Sequence, residues 1–339
     1  MIADAIRALV EGRSLSEKLA EGTMTQIMQG EATQAQIGAF LTALRLKGET
    51  VAEITAFARV MRSKVTPVEY ATPGEVLDTC GTGGDGSGSF NISTAAAFVA
   101  AGAGVPVAKH GNRSVSSLCG SADLLKELGV NIETGPQTAL RCLNEAGICF
   151  IFAPLYHPAM KHAIGPRREI GIRTVFNILG PLTNPAGAKY QLLGVYSEEL
   201  SEKLAGVLLK LGSKKAYVVH GHGNLDEISI SGPTKVSELQ KGRIKNYTVK
   251  PEDFGFEPRP VEAIRGGEAA TNSRILKELL NSKQSPYREA VLLNAGAAIS
   301  AFKEKLSIAQ GVELAVDSID SGKAREKLEA LIELSHSPE

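Results

Sequence analysis

Asp78-Thr79-Cys80-Gly81-Thr82-Gly83-Gly84-Asp85, continuing through Asn91-Ile92-Ser93-Thr94 into an alanine-rich run over residues 95–101, is the stretch on which the fold turns. The apolar pair Val76-Leu77 enters it. A strand that feeds a glycine turn and then a helix aims backbone N–H groups at a phosphate. Glycine supplies positive φ and lets the main chain approach a ligand closely. Asn91, Ser93 or Thr94 can cap the helix, and a hydroxyl there can also ligate a metal. Glycine turns also serve as plain strand–helix connectors; Asp85 and the Asn-Ile-Ser-Thr extension favour the phosphate reading.

Downstream of this stretch, strands and helices alternate. The pattern predicts strands at residues 105–108, 148–152, 192–195 and 216–219, and helices at 122–128 and 201–211. Alternation of this kind implies crossover connections and a largely parallel sheet, with ligands beyond the carboxyl ends of its strands. Gly81, Lys109-His110, the segment from Pro154 to His157 and the segment from His220 to Glu227 are all expected at such ends. Upstream, the chain to about Val65 carries helical periodicity in four runs, with Ser14 or Ser16, Thr33 and Thr50 as openers of the later three. Thr66 to Gly74 reads as a linker. Residues 159–185 read as a helix followed by a proline- and asparagine-rich segment, a return visit to the helical unit. The cleft is then expected between the two bodies. From Thr271 onward the chain is helical again.

With 339 residues, 43% of them hydrophobic and 22% charged, the chain has the composition of a globular protein with a large core. Lys plus Arg and Asp plus Glu each total 37. Nothing global therefore favours nucleic acid or an anionic membrane. Cys80, Cys119, Cys142 and Cys149 form no C-x-x-C pair, which fits buried free thiols in a reducing cytosol. The uncharged stretch over residues 86–108 is broken by Gly, Ser, Asn and Thr and is not read as a membrane span.

Three further constellations carry chemistry. Lys109-His110-Gly111-Asn112-Arg113 places two cations, an imidazole and an amide at a strand end, which attracts anions. Ser114, Ser116, Ser117 and Gly120-Ser121 extend it with donors. Asp226-Glu227 offers adjacent carboxylates of the kind that suit Mg²⁺ in a phosphate cleft. A solvated acidic loop is the plain alternative there. Zinc on His220 and His222 is a third reading that lacks an evident third ligand. Arg167-Arg168, near a helix end, can recognise a carboxylate bidentately, and Tyr156-His157 offers aromatic area. No G-x-S-x-G elbow supports a serine triad.

Taken with His157-Pro158-Ala159-Met160 and the run from Phe176 to Pro185 (Phe-Asn-Ile-Leu-Gly-Pro-Leu-Thr-Asn-Pro), these motifs resemble the anthranilate phosphoribosyltransferases of tryptophan biosynthesis, in order and over nearly the whole chain. The resemblance implies an α/β fold of the nucleoside phosphorylase/phosphoribosyltransferase type, a small helical domain plus a large α/β domain with a mostly parallel central sheet. Residues 1–72 with 155–187 would form the helical domain, and 73–154 with 188–339 the large one. It implies transfer of phosphoribose from 5-phosphoribosyl-1-diphosphate (PRPP) to anthranilate, in the cytoplasm, by a homodimer joined through the helical part.

By the same resemblance Gly81, Thr82, Gly83, Gly84, Asp85, Asn91, Ser93, Thr94, Lys109 and Ser121 would hold PRPP. Ser93, Asp226 and Glu227 would ligate Mg²⁺. Gly81, His110, Asn112, Tyr156, Arg167 and Pro181 would contact anthranilate or line its path. No single general base is expected; Lys109 and Ser93 would stabilise the transition state. Two other readings share the scaffold. A pyrimidine nucleoside phosphorylase would need inorganic phosphate and normally lacks the Lys-His-Gly-Asn-Arg and Gly-Pro-Leu-Thr-Asn-Pro motifs. A non-catalytic relative binding nucleic acid is opposed by the zero net charge and the intact acidic pair.

Overall fold

The computed structural model describes residues 1–72, 74–114 and 118–337. Four helices open the chain: α1 (Ile2–Val10), α2 (Glu17–Gln29), α3 (Gln34–Lys47) and α4 (Val51–Arg62). Ser16, Thr33 and Thr50 start the last three. Each hydroxyl accepts an N–H three residues on, and Gln36 and Glu53 return the bond to Thr33 and Thr50.

The alternating region then begins with β1 (Leu77–Gly81), α5 (Ile92–Gly102), β2 (Val107–Gly111), α6 (Ser121–Glu127), α7 (Pro136–Glu145) and β3 (Ile148–Phe152). An excursion follows through α8 (Ala153–Tyr156), α9 (Lys161–Ile170) and α10 (Phe176–Leu179), in which α9 packs on α2 and α3 and α10 touches α4. The chain returns through β4 (Tyr190–Gly194), α11 (Glu199–Lys210), β5 (Lys215–Gly221), β6 (Thr234–Gln240) and β7 (Arg243–Val249). It closes with α12 (Ala269–Leu280), α13 (Pro286–Phe302), α14 (Ile308–Asp320) and α15 (Lys323–His336).

All seven strands form one sheet in the order β3-β2-β1-β4-β5-β6-β7. The pairs from β3 to β5 are parallel, and β5–β6 and β6–β7 are antiparallel. The sheet is thus mostly parallel, as expected. Its edge hairpin was not anticipated. The signal lay in the β-branched and aromatic residues on either side of Lys241-Gly242 (Thr234, Val236, Ile244, Tyr247, Thr248 and Val249), and the φ values of that pair, 50° and 73°, are those of a two-residue hairpin turn. Helix α7 was also passed over, although Pro136 stands in its first turn.

Successive strand residues face opposite sides. Leu77, Leu192, Tyr217 and Val219 join one apolar cluster with α5 and α13 to α15. Cys80, Leu193, Ala216 and Val218 join a second with α11 and the four N-terminal helices. A sheet covered on both faces leaves its strand ends as the natural exits for polar chemistry. All four cysteines are buried, and none forms a disulfide among the described residues. Among the described residues, no helix is long and apolar enough to cross a membrane.

Candidate active site

The chain leaves β1 toward β2 on one side and meets β4 on the other, so the sheet's topological switch point lies between β1 and β4. Gly81 and Gly194 end these two strands and stand opposite each other in register. Both are glycine because the loop after β5 enters here. A Cβ on Gly81 would lie 2.3 Å from Asp226 Oδ2, and one on Gly194 would lie 1.5 Å from the Asp226 carbonyl oxygen. Gly221, at the end of β5, makes the same allowance for Glu227, whose carbonyl oxygen would be 2.5 Å away. Three strand-ending glycines therefore seat one acidic pair.

The turn after β1 and the start of α5 close around that pair. The Gly83 N–H donates to Asp226 Oδ2 at 2.8 Å, and the Ser93 N–H donates to Glu227 Oε1 at 3.1 Å. The Asp226 N–H reaches Asp85 Oδ2 at 3.5 Å. Thr82 is fixed at both ends: its N–H donates to the Gly194 carbonyl at 3.0 Å and its hydroxyl accepts from the Tyr196 N–H at 3.1 Å. Lys109 is buried beneath, donating to the Thr79 carbonyl at 2.6 Å and to Ser93 Oγ at 3.4 Å.

Asp85 and Asp226 crowd Glu227, and the Lys109 ammonium partly offsets the charge there. Burial and their mutual repulsion push Glu227 well above the usual carboxylate range and raise Asp226 as well. Burial also lowers Lys109, against the pull of Asp78 and Glu227. An excess of desolvated oxygen charge is what a hard divalent cation relieves. Among the described residues no three His, Cys, Asp or Glu side chains converge as a closed metal cage. A cation on Ser93, Asp226 and Glu227 would fill its other positions with water or substrate oxygens, the usual Mg²⁺ habit. His220 is engaged elsewhere, with Nδ1 2.8 Å from the Val195 carbonyl.

His110 follows Lys109 on β2 and points the other way, toward the excursion. It lies in the strand, not after it, so the alternation of the pleat divides the two side chains between the faces. Its Nε2 is 3.1 Å from His157 Nε2, and its ring also donates to the Gly180 carbonyl. In a neutral ring, Nε2 of His110 therefore accepts from His157. Pro181 follows, its carbonyl taking the Gln191 side-chain amide at 2.7 Å. Arg167 is half-buried on α9 with its guanidinium 5.1 Å from the centre of the Phe176 ring, and among the described residues no carboxylate pairs with it. Burial lowers its pKa, so an anionic ligand would relieve it.

Burial holds both imidazoles neutral, His110 down to about 3 and His157 down to about 4. An unfolded chain protonates them near pH 6.5. Their contribution to stability is full above that pH and is lost as pH falls through the folded values. His157→Asn is expected to gain on the wild type by about 3 kcal/mol between pH 7 and pH 4. Denaturant midpoints at the two pH values check this; a difference independent of pH contradicts it.

Other expected residues sit nearby in different roles. Asn91 begins α5, but its amide donates to the Cys119 carbonyl at 3.0 Å and its oxygen accepts from Asn272 at 2.9 Å. Thr94 is buried in the first turn of α5. Ser121 begins α6 and donates to the Asn112 carbonyl at 3.2 Å; the Asn112 side chain is exposed and takes the Arg113 N–H at 2.7 Å. Ser116 and Ser117 lie outside the described residues. Tyr156 is not brought to the cleft. Its ring belongs to the core beneath β3, 1% exposed, and its hydroxyl donates to the Thr134 carbonyl at 3.0 Å. An aromatic residue next to a polar motif is as well suited to core packing as to a ligand.

Sequence reasoning passed over Asp78 and Asn184, though both lie in quoted motifs. Asp78 is fully buried and joins the His110 N–H at 3.2 Å to the Asn184 amide at 2.9 Å, so it ties β1 to β2 and to the excursion. Burial pushes it up to about 6. Asn272 carried no signal.

A helical bundle against an α/β body, with an acidic pair and a glycine turn at the switch point, defines a glycosyl transferase of two-part construction. Family models agree: "Glycosyl transferase family, helical bundle domain" matches residues 3–65 and "Glycosyl transferase family, a/b domain" matches 73–325. The anthranilate phosphoribosyltransferase of Pelotomaculum thermopropionicum is 55% identical over 335 residues, 99% of this chain and 97% of that protein. The crystal structure of the enzyme of that name from Thermus thermophilus superimposes with a TM-score of 0.93 at 42% identity, covering 98% of this chain and all of the other. The Saccharomyces cerevisiae enzyme, solved in complex with PRPP and Mg, gives a TM-score of 0.90 at 30% identity over 99% of this chain and 98% of its own. The chain belongs to the anthranilate phosphoribosyltransferase family.

Proposed function

We infer that the protein transfers the 5-phosphoribosyl group of PRPP to the amine of anthranilate, forming N-(5-phosphoribosyl)anthranilate and releasing diphosphate. The observation that carries this is the convergence at the β1–β4 switch point of a glycine turn, a helix N-terminus, a buried lysine and a carboxylate pair in excess of its counter-charge. In the reaction a C–N bond forms at the anomeric carbon as the C–O bond to diphosphate breaks. The electron pair leaves with diphosphate, and the amine loses one proton.

The barrier is charge separation at that carbon, so preorganised donors around the leaving group lower it. Lys109, Ser93 and the N–H groups of residues 84 and 85 are the donors this chain supplies, and they would bind and orient the diphosphate, while the Gly83 N–H holds Asp226. Mg²⁺ bound on Ser93, Asp226 and Glu227 would supply further positive charge to the departing oxygens. The arylamine is unprotonated at neutral pH, so no strong base is needed before attack. Anthranilate's own carboxylate is placed to take up the proton. Orientation then decides the rate. Asn112, Arg167, His110 and Pro181 would provide it, His110 as a neutral group held by His157. Arg167→Ala is expected to weaken use of anthranilate about ten- to a hundredfold, with use of PRPP largely retained. Separate saturation curves for the two substrates check this, and equal losses would contradict it.

The same reading places the helical body at 1–72 with 155–187 and the PRPP-binding body at 73–154 with 188–339. It includes a homodimer through the helical part, where Val10 and Leu46 stand exposed, and action in the cytoplasm. The direct test is loss of anthranilate fluorescence on mixing with PRPP, with and without Mg²⁺. Rapid Mg²⁺-dependent loss is expected. No loss, with phosphorolysis of thymidine instead, would favour a nucleoside phosphorylase.

A further inference from the structure

Arg173 lies between α9 and α10, in the excursion that also carries Arg167. It reaches from there to the opposite side of the cleft. Its Nη2 donates to the Gly84 carbonyl, and its guanidinium lies 4.4 Å from the centre of the Tyr196 ring. Among the described residues no carboxylate pairs with it. Its strongest bond is therefore to the main chain of the glycine turn.

That bond acts where the turn is least constrained. Gly83 and Gly84 have φ of 67° and 71°. Two successive glycines carry no Cβ to penalise a flipped peptide. A trans peptide is planar, with its C=O and N–H on opposite sides. Holding the Gly84 carbonyl toward Arg173 therefore fixes the Asp85 N–H in the opposite direction. Tyr196, under the guanidinium, also grips Thr82 through its backbone N–H at 3.1 Å. One platform thus holds the turn at Thr82 and, through Arg173, at Gly84.

We propose that Arg173 is a positioning residue for the sugar-diphosphate turn: a latch from the helical excursion that sets the direction of the Gly84–Asp85 peptide without touching the reacting atoms. This rests on the reading above that the turn holds PRPP. Arg167 and Arg173 then share one segment, the first facing the acceptor and the second bracing the donor turn.

The test is steady-state kinetics of Arg173→Met and Arg173→Lys with each substrate varied in turn. Met keeps an apolar stem over Tyr196 and removes the donors. Lys keeps a charged donor and loses the planar stack. The KM for PRPP is expected to rise about tenfold in Arg173→Met and by less in Arg173→Lys, while the KM for anthranilate stays within about twofold. Arg173 is exposed, so both variants are expected to melt close to the wild type. A folded variant of either kind with the wild-type KM for PRPP, or with both KM values raised alike, would overturn the latch while leaving the reaction intact. A wild-type protein that neither binds nor consumes PRPP would overturn the reading of the site, and the latch with it.

Discussion

Gly194→Ala is expected to lower kcat/KM by at least about a hundredfold while the chain still folds. The added methyl group would stand 1.5 Å from the carbonyl oxygen of Asp226 and 2.3 Å from its carbonyl carbon. Both are backbone atoms, so no rotamer change relieves the clash and the acidic loop must move. Displacements of about 1 Å are enough to cost two orders of magnitude in a site that works by orientation. The stability cost should be that of an overpacked site, about 1–3 kcal/mol. Gly81→Ala meets the Asp226 carboxylate instead, at 2.3 Å from Oδ2. That side-chain end can swing aside, so the stability cost should be smaller, while activity should still fall because the displaced carboxylate is a proposed Mg²⁺ ligand. Gly206→Ala on α11 is the control, because its nearest atom would be a Val51 methyl at 3.5 Å. Steady-state assays and thermal melts of the three variants check the order. Activity of Gly194→Ala within about twofold of wild type would contradict the claim that catalysis needs the loop where it lies.

Asp226→Asn combined with Glu227→Gln should produce opposite changes in activity and in stability. Both substitutions keep shape and remove charge. If the pair holds the catalytic cation, Mg²⁺-dependent turnover should fall at least about a thousandfold. Stability without metal should rise. Burial and mutual repulsion raise both carboxyl pKa values in the folded chain, so their ionised forms oppose folding. By linkage, stability is highest below the unfolded carboxylate pKa and declines as pH rises through the folded values. The neutral variant lacks that decline and should gain most on the wild type at alkaline pH. Activity assays with a Mg²⁺ titration, and melts in chelator at pH 6 and pH 8, read the two effects separately. A variant that is less active and also less stable at both pH values would mean that the pair is structural.

The parts of this site readable in the sequence are those built from local chain geometry. The glycine turn, the start of α5 and the acidic pair each occupy a few consecutive residues whose types dictate backbone shape or charge. The caps of α2 to α4 were legible for the same reason. What escaped depends on contacts between distant segments. Asp78 and Asn184 meet across 106 positions, and Asn91 and Asn272 across 181. Nothing in the local pattern of either partner announces the bond. Tyr156 shows the converse: its neighbour His157 does reach the His110 cluster, while the chain's turn through α8 sends the tyrosine ring into the core. The β6–β7 hairpin left only a faint trace, because its buried positions do not alternate strictly and an edge strand with many exposed polar residues gives a weaker signal than a buried parallel strand.

The central claim is that the switch-point turn and the acidic pair together hold the sugar donor. A crystal structure of the protein with PRPP and Mg²⁺ tests it most directly. The diphosphate is predicted to lie against the N–H groups of residues 84 and 85 and the start of α5, with Mg²⁺ held by Asp226 and Glu227. Ordered PRPP bound away from the glycine turn, with both carboxylates free of metal, would contradict it.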